Sequence, residues 1–183
     1  MPSDFSIRLA AWQIKHGGII AYPTDTIYGL GCDPYNADAV EFLNQIKSRP
    51  QSKQFILLVG HFKQIEPLIT TSDEQANLIK RTAEPTSWIV EASPLTPFWL
   101  TSNENTLTIR ISKSSVVKKL CEKVGHAIIS TSANVSGKKP AKNNLEIRRY
   151  FGNTLDCILA TNKKLTSKPS KIIRLCDNRI IRD

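Results

Sequence analysis

Short apolar runs alternate with amphipathic stripes along the whole chain, and this alternation predicts an α/β fold. Apolar residues that recur every three or four positions indicate helices with one buried face. Short continuous or alternating apolar runs indicate strands. We predict helices over 6–16, about 36–47, 73–83, 116–124 and 145–151. We predict strands over 19–22, 55–59, 88–90, 106–111, 127–130, 157–160, 171–175 and 179–181.

Local signals set several of these helix ends. Gly17 and its glycine neighbour stop the first helix, because glycine favours helix C-termini. The second helix can be capped by Asn36 or by Asp38, and both alternatives stay open at this point. It is expected to end near Lys47, because Pro50 disfavours the helical conformation of the residue before it.

The segment 106–111 has the clearest strand period in the chain. Its odd positions are apolar, and its even positions carry Thr106, Thr108 and Arg110. Successive strand residues point to opposite faces of a sheet. We therefore expect a half-buried strand that packs one face into the core and offers two hydroxyls and a guanidinium on the other.

Composition is that of an ordinary globular protein. The chain has 183 residues, of which 40% are hydrophobic and 22% charged. This length favours a single domain over 1–183. No apolar run reaches the roughly 18 residues of a membrane span, and the first residues lack the pattern of a secretory signal. We expect a cytoplasmic protein with no membrane segment.

The net charge and the spacing of the cysteines limit the kinds of ligand that we expect the protein to bind. Lys and Arg total 25 against 16 acidic residues, a net charge of +9, which favours ATP, RNA or both as ligands, although a solvated surface would also explain it. The four cysteines form no CxxC pair and no zinc-like spacing with histidine. We expect them to be reduced, small, buried side chains, and we expect no metal to be bound by protein side chains.

Polar clusters follow the predicted strands and helices. The cluster 23–30 (PTDTIYGL) can present hydroxyls at a sheet edge, or can be a simple turn. The cluster 47–50 (KSRP) can hold a phosphate chain from two directions through its lysine and arginine, or can complement a helix dipole. The cluster 130–137 (STSANVSG) can wrap an anion, or can be an ordinary turn.

No nucleophilic triad accompanies these clusters. Ser132 lies outside any GxSxG elbow, and 130–137 contains neither a Walker loop nor a GxGxxG motif. A reaction that needs positioned substrates and charge stabilisation, without a protein nucleophile, fits this set of residues.

Taken in order, the clusters resemble the YrdC/TsaC family of threonylcarbamoyl-AMP synthases in its short bacterial form. The resemblance runs from residue 17 to residue 182 and rests on PTDTIYGL, KSRP, TLTIRI at 106–111, STSANVSG and PSKII at 169–173. It implies a twisted mixed sheet with flanking helices and a basic concave cleft. The chain departs from the family pattern at Glu84, where glycine is usual, and at Lys171, where threonine often follows the serine.

The resemblance also implies ligands for individual residues. L-Threonine would be held by Thr24, Arg110, Ser130 and Ser170, with Arg110 on its carboxylate. ATP would be held by Lys47, Arg49, Thr106, Ser132, Asn134 and Arg182. Lys47 and Arg49 would serve catalysis by screening the phosphates, with Mg²⁺ entering on ATP.

The implied activity is that of a nucleotidyltransferase. It would condense L-threonine, bicarbonate or CO₂, and ATP into threonylcarbamoyl-AMP and pyrophosphate. A tRNA-modifying threonylcarbamoyl transferase complex would then use the product to make threonylcarbamoyladenosine beside the anticodon. The alternative is a module that binds double-stranded RNA or tRNA without catalysis, which the basic charge also supports. A carbamoyl-phosphate-using protein of the hydrogenase-maturation type shares this fold family but is expected to carry further domains.

Overall fold

The protein folds as a mixed β-sheet with helices on both faces. The computed structural model describes residues 1–49, 54–162, 165 and 168–183, and Pro50, the predicted helix stop, lies outside them. The helices are α1 (Asp4–Lys15), α2 (Ala37–Ile46), α3 (Asp73–Arg81), α4 (Ser115–Val124) and α5 (Asn144–Phe151). The strands are β1 (Ile20–Pro23), β2 (Tyr28–Gly31), β3 (Ile56–Val59), β4 (Ile69–Thr70), β5 (Thr86–Ala92), β6 (Thr106–Ile111), β7 (Ile128–Ser132), β8 (Cys157–Ile158), β9 (Lys171–Arg174) and β10 (Arg179–Arg182).

The strand order joins segments that are far apart in sequence. Across the described residues it runs β10-β9-β5-β6-β3-β7-β2-β1-β8, with β4 paired to β5 at one side. The pairs β1/β8, β3/β6 and β5/β9 are parallel, and the other pairs are antiparallel. The centre of the sheet therefore consists of β6, β3, β7 and β2, and their polar ends meet near one another.

Apolar side chains cover the sheet on both faces. Ile128 packs in a cluster with α1 and α4, while its neighbour Ile129 packs in a larger cluster that includes residues of α2, α3 and α5. This separation follows from the two-residue period of the strand. Ser130 lies two residues after Ile128 and so shares the face of the sheet that α1 and α4 cover.

Most elements lie where the sequence predicts them, with ends shifted by a few residues. Asn36 rather than Asp38 caps α2, since its side chain accepts from the Ala39 amide at 3.0 Å. The prediction missed β2, because its polar and glycine-rich approach is typical of a turn. It also missed the two-residue β4 and the 3-10 turns over 62–64, 66–68 and 98–100.

Two burial predictions need correction. The polar face of β6 is more buried than expected for a half-buried strand: Thr108 is 5% and Arg110 is 4% exposed, because the side chains of Gln54, Asp25 and Thr26 lie against them. Cys32 and Cys121 are buried as expected, but Cys176 is exposed on the turn between β9 and β10. Burial raises the pKa of the Cys121 thiol to about 12, which keeps it protonated and unreactive.

Within the ranges that the structure describes, no helix is both long enough and apolar enough to cross a membrane.

Candidate active site

A pocket of about 460 Å³ opens on the face of the sheet where α1 and α4 leave the strands uncovered. Seven of the ten residues predicted to bind substrates line it, from segments far apart in sequence. They are Thr24, Arg49, Arg110, Ser130, Ser132, Ser170 and Arg182. The strand order explains this convergence, since β2, β7, β3 and β6 are consecutive in the sheet. The other three, Lys47, Thr106 and Asn134, do not line this pocket.

The first polar cluster forms a tight turn between β1 and β2. The Thr24 hydroxyl donates to the Ile27 carbonyl at 2.7 Å and accepts from the amides of Thr26 and Ile27 at 3.1 and 3.2 Å. Both interpretations of the cluster 23–30 are therefore correct: it is a turn, and this turn holds Thr24 against the pocket. These bonds use the usual donor and acceptor capacity of the hydroxyl.

Arg110 is the buried cation of the pocket. Its side chain reaches from β6 to the turn, where its guanidinium pairs with Asp25 and lies 3.3 Å from the Thr26 hydroxyl. The Arg110 Nε–H is buried and has no hydrogen-bond partner among the described residues. A buried donor without a partner is costly, and a ligand acceptor placed there would satisfy it.

Arg49 enters the pocket from the segment after α2. One guanidinium nitrogen donates to the Gln54 carbonyl at 2.7 Å, and another lies 3.4 Å from the Thr131 hydroxyl. The guanidinium carbon also lies 4.9 Å from the centre of the Phe55 ring. Burial lowers the pKa of Arg49, so an anion bound beside it would stabilise its charged form.

Lys47 supports the pocket wall from behind. Its side chain is 2% exposed, and its Nζ donates to the carbonyls of Ser132 and Asn134, both at 2.5 Å. Its own carbonyl accepts from the Ser136 amide at 2.9 Å. Lys47 thus fastens the loop that follows β7 to the end of α2.

Asn134 holds the same loop from within. Its amide nitrogen donates to the carbonyls of Val135 and Lys138 at 2.9 and 2.7 Å. Its Oδ1 is buried and has no partner in the described part of the chain. The dense Ser/Asn cluster is therefore an ordered loop whose shape depends on Lys47 and Asn134. Its first three residues, Ser130, Thr131 and Ser132, line the pocket.

Thr106 lies beside a neighbouring cavity of about 290 Å³ that shares Ile89 with the main pocket. Its hydroxyl lies 2.8 Å from the Ser102 hydroxyl, and its carbonyl accepts from the Gln54 side chain at 2.5 Å. The two-residue period placed it correctly on the same face as Arg110. The two-residue period shows which face of the sheet a side chain lies on, but not how far that side chain is from the pocket. Of the two threonines on β6, Thr108 lines the main pocket.

The last strands close the opposite side. Arg182 on β10 donates to the Ser170 carbonyl at 3.1 and 2.7 Å, and the Ser170 hydroxyl lies 2.8 Å from that of Ser87. Burial, and then the charge of Arg110, lowers the pKa of Arg182. Glu84 and Lys171, the two departures from the family pattern, do not line the pocket.

Sequence reasoning missed several lining residues. Gln54 bridges Arg49 and the β6 threonines, and Tyr28 joins the pocket to the Asn144 side chain at 3.2 Å. Thr26 and Thr131 also line the pocket. Thr26 lies in the cluster 23–30 and Thr131 in the cluster 130–137, so the density of hydroxyl residues in these clusters is the signal that could have identified them. Nothing local singles out Gln54.

The low proton affinity of Lys47 predicts a pH-dependent stability. Burial, and then the charge of Arg49, lowers its pKa to about 7, whereas an unfolded lysine titrates near 10.4. Between about pH 7 and pH 10 the unfolded chain holds the extra proton, so the free energy of unfolding rises with pH by about 1 kcal/mol per unit from this group. Below about pH 7 both states are protonated and this contribution is constant.

Urea unfolding of wild type and Lys47→Met at pH 7 and pH 9 measures this slope. The stability gain between the two pH values should be smaller in Lys47→Met. Lys118→Met, which changes an exposed lysine on α4, should keep the wild-type slope. Equal slopes in wild type and Lys47→Met would contradict the prediction.

Fold and pocket together define an α/β protein with a polar pocket suited to an anionic small molecule. Three arginines reach this pocket, and no aspartate or glutamate is among the described residues that line it. The model of the Sua5/YciO/YrdC family, described as "Telomere recombination", matches residues 13–183. The chain belongs to this family.

Individual relatives agree with this membership. A Cellvibrio japonicus protein named threonylcarbamoyl-AMP synthase is 38% identical over 178 residues, which are 96% of this chain and 94% of the relative. The crystal structure of P. abyssi Sua5 complexed with L-threonine matches with a TM-score of 0.88 and 29% identity, over 95% of this chain. This chain spans about half of that Sua5 chain, 52%. E. coli YciO has a TM-score of 0.90 at 24% identity over 100% of this chain and 91% of YciO, and it supports the fold alone.

Proposed function

We propose that this protein is an enzyme, a threonylcarbamoyl-AMP synthase that makes threonylcarbamoyl-AMP and pyrophosphate from L-threonine, bicarbonate or CO₂, and ATP. The observation that carries the proposal is the convergence of seven predicted ligand residues on one pocket. The names of the relatives and the threonine bound to P. abyssi Sua5 support it. The product would pass to a tRNA-modifying threonylcarbamoyl transferase.

The threonine side of the pocket is built for a carboxylate and polar groups. Arg110 would hold the carboxylate through its unpartnered Nε–H, since charge-assisted hydrogen bonds to carboxylate are strong. Ser130 and Ser170, which are both buried, would contribute hydroxyls on either side. Thr24 would contribute through the turn that it fixes. The neutral amine would then be directed into the pocket, where it adds to CO₂ and releases one proton to solvent, which gives the carbamate.

The nucleotide side would hold phosphates near Arg49 and Arg182. A carbamate oxygen attacks the α-phosphorus, the bond from that phosphorus to the bridging oxygen breaks, and pyrophosphate leaves with that oxygen. Two anions must approach, so fixed positive charge lowers the barrier. Arg49 would supply the two-pronged donor group of its guanidinium, and Ser132 would supply a hydroxyl at the end of β7. Lys47 and Asn134 hold the loop that follows Ser132. Thr106 would act from the neighbouring cavity.

Mg²⁺ belongs to ATP in this proposal. No group of three or more His, Cys, Asp or Glu side chains in the described ranges is arranged to hold a metal ion. The pocket offers hydroxyls and arginines, which suit phosphate rather than Mg²⁺. In this proposal Mg²⁺ would be bound through the phosphates of ATP.

Pyrophosphate release from purified protein tests the proposal. The nucleophile exists only when both the amine and CO₂ are present, so release should need threonine and bicarbonate together and should not need tRNA. Release that is unchanged without threonine in CO₂-depleted buffer would show a plain ATPase. No release under any combination, with RNA still bound, would favour the RNA-binding module instead.

A further inference from the structure

The carboxylate of Asp25 lies directly behind Arg110, in the turn between β1 and β2. Its Oδ1 pairs with the Arg110 guanidinium and accepts from the Ser112 hydroxyl at 3.0 Å. Its Oδ2 lies 3.4 Å from the Lys113 amide. The Asp25 side chain is 10% exposed, and Asp25 is not among the residues that line the pocket. It contacts the pocket through Arg110.

These contacts hold the terminal nitrogens of the guanidinium and leave its buried Nε–H without a partner among the described residues. Both terminal nitrogens of Arg110 lie 3.3 Å from the Thr26 hydroxyl, and one of them also pairs with Asp25. The Nε–H has no partner among the described residues, although Arg110 is only 4% exposed. A long arginine side chain has many rotamers, and a fixed partner at its end selects one.

We propose that Asp25 is a positioning residue, which orients Arg110 so that its Nε–H edge faces the carboxylate of the amino-acid substrate. This inference rests on the proposed function. Asp25 has two opposed effects on such a substrate. It fixes the guanidinium, which favours binding, and its negative charge opposes a second carboxylate. We infer that the orienting effect is the larger one, because Arg110 lines the pocket and has a buried, unsatisfied donor that only a correctly placed acceptor can use.

Two substitutions separate these effects. Asp25→Ala removes both the charge and the hydrogen-bond acceptors. Asp25→Asn removes the charge but keeps an acceptor for Arg110 and Ser112. If orientation is the larger effect, Asp25→Ala raises the KM for threonine by about 10- to 100-fold, and Asp25→Asn recovers most of that loss. The KM for ATP should stay within about twofold in both variants, because the nucleotide side does not depend on this contact.

Asp38→Ala is the matched control, since Asp38 is an exposed aspartate on α2. It should leave both KM values at wild-type levels. An unchanged or lower KM for threonine in both Asp25 variants would overturn the inference. An equal rise in the two KM values would also overturn it, because that pattern indicates a general loss of structure.

A double-mutant comparison shows whether Asp25 acts through Arg110. Arg110→Lys keeps the positive charge but loses the planar guanidinium, which donates from several nitrogens at once. In that background Asp25→Ala should add less than about twofold to the KM for threonine, because the contact is already broken. An added effect as large as in wild type would mean that Asp25 acts by another route, and the proposal would fail.

A last measurement needs no turnover and so separates this inference from the proposed function. Exchange of the Arg110 Nε–H with solvent can be followed by NMR, with the signal assigned by its loss in Arg110→Lys. Exchange should be slow in wild type and faster in Asp25→Ala, with Asp25→Asn close to wild type. Absent threonine-dependent turnover in wild type would refute the proposed function, whereas identical exchange in wild type and Asp25→Ala would refute the role of Asp25.

Discussion

Arg49→Ala should lower threonine-dependent pyrophosphate release by about 10²–10³-fold, the usual loss when one donor that stabilises developing charge is removed. Arg49 lines the pocket, and burial lowers its pKa, so a phosphate would stabilise its charged form more than water does. Arg49→Lys keeps a charge but loses the planar fork and should recover only part of the activity. Initial rates at saturating threonine, with ATP varied, measure the effect.

The matched control is Arg148→Ala, which changes an exposed arginine on α5. It should leave turnover unchanged, which would show that the loss does not come from a lower net charge. Arg49 also contacts Gln54 and Phe55, so circular dichroism must confirm that Arg49→Ala is folded. A folded Arg49→Ala protein with near-normal rates would refute the assignment of Arg49 to the nucleotide.

Gly31→Ala should abolish folding or cost more than about 3 kcal/mol of stability, among the largest effects of a single methyl group. A Cβ at Gly31 would lie 2.1 Å from the Ile129 carbonyl oxygen and 2.9 Å from Tyr22 Cε1. Neither neighbour can move easily, since one is the backbone of a central strand and the Tyr22 hydroxyl donates to that same carbonyl at 3.0 Å. Urea unfolding measures the loss, and soluble expression shows whether the variant folds.

Gly29→Ala is the comparison on the same strand. A Cβ there would lie 3.1 Å from the Ser130 hydroxyl and 3.4 Å from Thr24 Cγ2. Because a side chain can shift where a backbone cannot, we expect a loss of only about 1 kcal/mol. Ser130 and Thr24 line the pocket, and the third neighbour, Tyr22 Cζ at 3.4 Å, is at an ordinary contact distance, so threonine use should fall more than stability does. Equal stability of Gly31→Ala and Gly29→Ala would contradict the packing argument.

The sequence predicts the elements well where one residue pattern is sufficient. The alternation in 106–111 gives β6 and places Arg110 and the threonines on one face. Gly17 gives the end of α1 and takes φ of 81° there, whereas the choice between Asn36 and Asp38 as the cap of α2 needed the structure. β2 was missed because its strand character comes from pairing with β1 and β7 rather than from its own residues.

The sequence brings together seven of the ten predicted ligand residues in one pocket, but it does not show which of the ten face that pocket. Lys47 and Arg49 look alike as two cations near a helix end. Only the fold shows that Arg49 enters the pocket while Lys47 turns to the carbonyls of the loop after β7. The partnership of Asp25 with Arg110 joins residues on β6 and the first turn, and no local pattern indicates such a contact.

The strand order has a consequence for how the chain folds. Gly29 pairs opposite Ser132, and Thr86 pairs opposite Lys171, so the pocket walls join segments that are distant in sequence. To form such pairings the chain must first lose the entropy of closing long loops, and the favourable contacts between the strands form only afterwards. These pairings therefore slow folding. After dilution from denaturant, helical circular dichroism should therefore recover before the ability to bind threonine. Because β2 pairs with β7, the pocket wall that follows Thr24 cannot be completed until residues 128–132 have been synthesised.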